Sequence, residues 1–160
     1  MKNFILFFSI IFFFKNNLFG FELDCNFEEV YSDGSIQQGL LLFKENKLRY
    51  QYYDPSLYTL IYNENLYLIP NDDKKSFREL NNESSLFEKL TEVLSNYPNI
   101  DKTYYTDEFS IKLELSLNNF IKRIGIQSNS INLSINILNC QKNQLFDRYF
   151  KYFPLEDLNR

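Results

Sequence analysis

Histidine is absent from all 160 residues. With it go the commonest general base and the commonest metal ligand, so a Ser-His or Cys-His nucleophile and any His-bearing zinc site are excluded. Tryptophan is also absent, and glycine and proline occur four times each, too rarely for a fibrous or low-complexity chain. No glycine-rich phosphate loop occurs. Positive charge is scarce as well. The formal charge is −4, and losing Lys2 and Lys15 with a cleaved leader would lower it by two more. An acidic chain with no basic cluster argues against nucleic acid or an anionic membrane as the main partner. Carboxylates do occur in adjacent pairs: Glu28-Glu29, Asp72-Asp73 and Asp107-Glu108. Neighbours on a strand point to opposite faces and turn acids are solvated, so no catalytic acid-base pair is expected. Glu22, Asp24 and Glu28 lack the glycine bend of a calcium loop. The chain therefore reads as a non-enzyme with neither cofactor nor metal.

Apolar and aromatic residues are what the sequence does have, with 17 Phe and 12 Tyr. Its one long hydrophobic run, Phe4 to Phe14, follows a short basic start at Met1-Lys2-Asn3. It falls well short of the roughly 20 residues a spanning helix needs and has the length of a secretory signal's hydrophobic region. Residues 1–20 are read as a signal peptide cleaved after Gly20. Residues 21–160 then form one domain, since the length does not suffice for two proper cores. Cys25 follows Glu22-Leu23-Asp24 and not small residues, so it does not fit a lipid-attachment site. In an oxidising compartment the default for Cys25 and Cys140 is a disulfide. Cys25 shares the parity of Leu23 and Phe27, but Cys140 is out of phase with Ile131, Leu133, Ile135 and Ile137; a bulge near Asn139 would repair the phase.

Along the mature chain the strand period dominates. Gly39 to Pro55 predicts a hairpin: Leu40 to Phe43, a turn at Lys44-Glu45-Asn46, then Leu48, Tyr50 and Tyr52 alternating with Arg49, Gln51 and Tyr53. Before it, Phe21 to Tyr31 alternates Leu23, Cys25 and Phe27 with polar residues. After it come Tyr58-Leu60-Tyr62, Leu66 to Ile69 and a short strand at Phe77 to Leu80. Phe109 to Leu117, Phe120 to Gln127 and Ile131 to Cys140 complete the strands. One helix interrupts them. Ser85 and Glu88 suggest a capping box, and Leu86, Leu90, Val93, Leu94 and Tyr97 form an apolar stripe ended by Pro98. The expected fold is mainly β: an antiparallel meander of about eight to ten strands that must curl as its twist accumulates. The interior under the helix can be core or cavity.

The order of these elements resembles the LolA family of periplasmic outer-membrane lipoprotein carriers. The residues that carry the resemblance are Gly39, Lys44, Glu45, Leu48, Arg49, Tyr50, Tyr52 and Pro55, with the Leu60 to Ile69 hairpin, the Ser85 to Tyr97 helix, Phe27-Glu28-Glu29, and a terminal Phe150-x-Tyr152-x-Pro154. The chain departs from the pattern where Lys44 replaces the family's arginine, Glu45 its proline, and Glu29 its glutamine. The resemblance implies an unclosed β-barrel with a helical lid over a hydrophobic cavity. It implies a periplasmic carrier that takes acylated lipoproteins or lipids from an inner-membrane exporter to an outer-membrane acceptor. Its cavity wall would be Leu48, Tyr50, Tyr52, Leu60, Tyr62, Leu66 and Leu68, its lid Leu86, Leu90 and Leu94, and its lid-holding residues Lys44 and Arg49. The alternative function is a periplasmic sensor or protein-binding module on the same fold.

Overall fold

A computed structural model describes residues 21–80, 84–141 and 143–152. The predicted signal peptide lies outside the described residues, as does Pro154 of the terminal pattern. The described chain forms one ten-stranded antiparallel sheet. β1 (Glu22–Tyr31), β2 (Ile36–Lys44), β3 (Lys47–Tyr52), β4 (Tyr58–Asn63), β5 (Asn65–Pro70) and β6 (Arg78–Glu79) step outward to one edge. β7 (Thr103–Tyr105), β8 (Phe109–Leu115), β9 (Ile121–Ser128) and β10 (Asn132–Gln141) step inward from the other edge, and β10 pairs with β1. The strand order is β6-β5-β4-β3-β2-β1-β10-β9-β8-β7, so the sheet remains unclosed. Both edge strands are very short and present few unpaired backbone groups to a stray strand. Between them the chain passes from one edge to the other through α1 (Ser85–Ser95).

Local chemistry accounts for the joints. Glu45 and Asn46 both take positive φ, 47° and 64°, and Lys44 pairs with Lys47 across them. That is the two-residue turn whose twist matches the flanking strands. The bulge expected near Asn139 is present: Asp24 pairs with Gln141 but Asn26 with Leu138, and Asn139 has φ 45°. The extra residue turns Cys140 onto the same face as Cys25, and the two form a disulfide. The capping box is not made. The helix N-cap is Ser84, with no side-chain cap bond, and the Ser85 hydroxyl instead donates to Glu108 at 3.1 Å. A serine one residue inside the first turn is free to serve a neighbouring loop.

Each face of the sheet has its own core. On the inner face Leu23, Cys25 and Phe27 join Leu41, Phe43 and Leu48 and the isoleucines of β8 to β10, with Leu90, Val93 and Leu94 of α1 packed against them. On the outer face Leu40 and Leu42 are covered by Leu145 and Phe150. These belong to a C-terminal strap, residues 143–152, that includes a 3-10 turn at Asp147–Phe150. The strap crosses strand after strand. The Asn143 amide donates to Asp24 on β1 (2.6 Å), Lys44 on β2 donates to the Leu145 carbonyl (2.8 Å), and Lys47 on β3 bonds Asp147 (3.2 Å). Tyr152 then stacks on Tyr67 of β5 at 4.4 Å.

Candidate functional site

The register of β3, β4 and β5 sets the inner face. Leu48 lies opposite Tyr62, which lies opposite Leu66; Tyr50 lies opposite Leu60, which lies opposite Leu68. Directly opposed residues in an antiparallel ladder share a face, so these six form two rows across three strands. Tyr52 continues the β3 side of them, opposite Gly39. Over the rows lies α1. Leu90 and Leu94 are buried at 4% and 0% exposure, and Leu86 is half-buried at the margin. The seven wall positions and three helix positions expected from the sequence thus fall in one packed cluster. The helix is also tied to the β2–β3 turn by a hydrogen bond from Ser95 to Asn46.

Lys44 and Arg49 stand elsewhere. Lys44 shares the parity of Leu40 and Leu42, and Arg49 pairs with Leu42, so both point to the outer face. Each bonds the strap, Lys44 the Leu145 carbonyl and Arg49 Nη1 the Tyr149 carbonyl at 3.2 Å, and each also bonds a strand neighbour, Glu22 and Gln51 respectively. Neither has a hydrogen bond or ion pair to α1 among the described residues. Alternation explains the difference: a cation beside an inward-facing leucine must face outward. An open groove of about 350 Å³ also lies on the outer face, where Gly125 leaves a gap between Lys112, Ser134 and Gln127.

A polar cluster within the inner face was not expected from the sequence. Glu29, on a central strand, is 3% exposed. Its Oε2 accepts hydrogen bonds from the Tyr50 hydroxyl (2.8 Å) and the Tyr52 hydroxyl (2.5 Å). The Tyr31 hydroxyl lies 3.4 Å from that of Tyr52. Rings enclose the group: Phe27 stacks on Tyr50 at 4.0 Å and meets Tyr52 edge-on, and Tyr58 meets Tyr52 edge-on at 5.2 Å. The signal was parity. Glu29 continues the series Leu23, Cys25, Phe27, whereas the sequence reading paired it with Glu28 as an ordinary strand acid.

Burial holds the Tyr50 and Tyr52 phenols neutral well past the ordinary tyrosine range, and the neighbouring Glu29 carboxylate adds to the shift. Arg49 moves the other way, down to about 10, through burial. These shifts predict alkaline unfolding. Above pH 10 the unfolded chain loses tyrosine protons that the folded state keeps, so stability falls as pH rises. Arg49 opposes this between its lowered value and 12.5, because there the unfolded chain holds its proton longer. Two tyrosines outweigh one arginine. Part of the tyrosinate absorbance should therefore appear cooperatively with the loss of circular dichroism; a gradual titration of every tyrosine with the fold intact would contradict the burial argument.

No protein-family model and no curated protein matches this chain.

Proposed function

We propose that the protein is an exported carrier that holds the acyl chains of lipoproteins or lipids between α1 and the inner face of the sheet and delivers them toward an outer membrane. The observation that supports this most is the pair of Leu and Tyr rows on β3 to β5 beneath a helix whose apolar stripe rests on them. The order of elements, which resembles that of the LolA carriers, supports it too. Each buried methylene contributes about 0.8 kcal/mol, so acyl chains need a dry apolar surface and no dedicated polar partner. A carrier must also release its cargo. An inner face whose side chains pack on one another and on α1 when empty offsets part of the binding energy, because cargo has to displace those contacts. In this reading α1 is the lid, and lifting it opens the cavity.

Native mass spectrometry of gently purified protein, produced with export from the full chain, tests the proposal. Acylated cargo should co-purify and be lost on adding detergent. Leu90→Glu should remove the cargo while keeping the strand signal in circular dichroism, because a carboxylate cannot seat against the apolar rows. A bare mass in the native protein would point instead to a self-packed sensor or protein-binding module, and full cargo retention in Leu90→Glu would count against α1 as the lid.

A further inference from the structure

We infer that Glu29 is a ligand-binding residue of the inner face and takes the ammonium head of a long-chain amphiphile. This rests on the carrier reading above and names the chemistry of what is carried. A carboxylate taken out of water is costly unless a positive partner compensates it. Among the described residues Glu29 forms no ion pair; the lysines and arginines that do form them pair with Glu22, Asp147, Glu92 and Glu114. Its two hydrogen bonds converge on Oε2. The Tyr31 hydroxyl also lies beside the carboxylate, so every neighbour that serves Glu29 among the described residues is a neutral phenol, and neither Tyr50 nor Tyr52 engages Oε1.

The surroundings select the donor. The rings of Phe27, Tyr50, Tyr52 and Tyr58 crowd the same spot, and ring faces attract cations. One of the two apolar rows, Tyr50–Leu60–Leu68, begins at a tyrosine that binds Glu29, and Tyr52 lies next to it along β3, so an alkyl chain laid along that row brings its head toward the carboxylate. An ammonium supplies the missing counter-charge. A hydroxyl head supplies only a neutral hydrogen bond, and a carboxylate head is repelled.

The test compares dodecylamine, dodecanol and dodecanoate, each below its micelle concentration, binding to the native protein and to Glu29→Gln. Glutamine keeps an acceptor for both tyrosine hydroxyls, and an unchanged near-ultraviolet tyrosine signal will show the cluster intact. The native protein should bind the amine about tenfold or more tightly than the alcohol, the margin of a charge-assisted over a neutral contact, and dodecanoate most weakly. Glu29→Gln should lose the preference for the amine and bind amine and alcohol alike. Equal binding of amine and alcohol by the native protein, or a preference that survives in Glu29→Gln, overturns the ammonium site and leaves the carrier reading standing. Failure of the native protein to bind any of the three overturns both.

Discussion

Replacing Cys25 and Cys140 together by alanine should lower the unfolding free energy by about 5 kcal/mol, the chain-entropy value for a loop of this length. The bond spans 115 residues of sequence and so encloses nearly all of the described chain. Its place in the sheet matters as much as its reach. β1 and β10 are where the two meanders meet, since strands β2 to β6 hang from β1 and strands β7 to β9 hang from β10. Bringing β1 and β10 together is the longest-range pairing in the sheet, and loop closure must be made before any of its contacts form. With the bond in place the unfolded chain already holds them close. Domains are stable by only about 5 to 15 kcal/mol, so the doubly substituted protein should lie near its folding threshold. Urea titrations of oxidised, reduced and Cys25→Ala/Cys140→Ala protein measure this directly. The last two should share a much lower midpoint and a steeper denaturant dependence, because a chain without the cross-link exposes more surface when it unfolds. Coincident midpoints for all three would show that the bond merely decorates a pairing that is already secure.

That pairing also illustrates what could be read from the residues. Cys140 is out of phase with Ile131 to Ile137, and this mismatch located the bulge at Asn139, because a period of two admits only an inserted residue as the repair. Strands β8 to β10 were legible from their alternation, which holds up to the irregularity at Glu114/Leu115 in β8 and the bulge in β10. The wall positions follow from parity once register is known. Three features were hidden, each for its own reason. The strap over Leu40 and Leu42 has no period of its own, and only tertiary contact holds Leu145 and Phe150 down. Lys44 and Arg49 were assigned to the lid by resemblance, while the alternation of their own strands sends them to the strap. β7 has three residues, too few for any pattern. Glu29 was legible in position but not in burial. Its parity put it on the inner face, but only the tyrosines of β3, some twenty residues away, make that position tolerable for a carboxylate.

Gly39→Ala should cost about 3 kcal/mol, at the upper end of what overpacking a core usually costs. Gly125→Ala should cost nothing and could stabilise by up to about 1 kcal/mol, through the reduced freedom of the unfolded chain. Both glycines lie within strands, so propensity alone predicts the same effect for each. Space separates them. A β-carbon on Gly39 would fall 2.1 Å from the Gln51 carbonyl oxygen and 2.4 Å from the Phe27 ring, whereas one on Gly125 would meet nothing closer than 3.8 Å. Gly39 sits opposite Phe27 on one side and Tyr52 on the other. The Phe27 ring occupies the space where the glycine has no side chain, and from there it stacks on Tyr50 and abuts Tyr52. A methyl group at position 39 therefore pushes on the two tyrosines whose hydroxyls hold Glu29. The disturbance should reach beyond stability. Near-ultraviolet circular dichroism of the tyrosines should change in Gly39→Ala and not in Gly125→Ala, and the amine preference assigned to Glu29 should weaken only in the former. Equal midpoints for the two variants would mean that the β1–β2 pair yields enough to admit the methyl group. The close packing of Phe27 over Gly39 would then not be what positions the tyrosines.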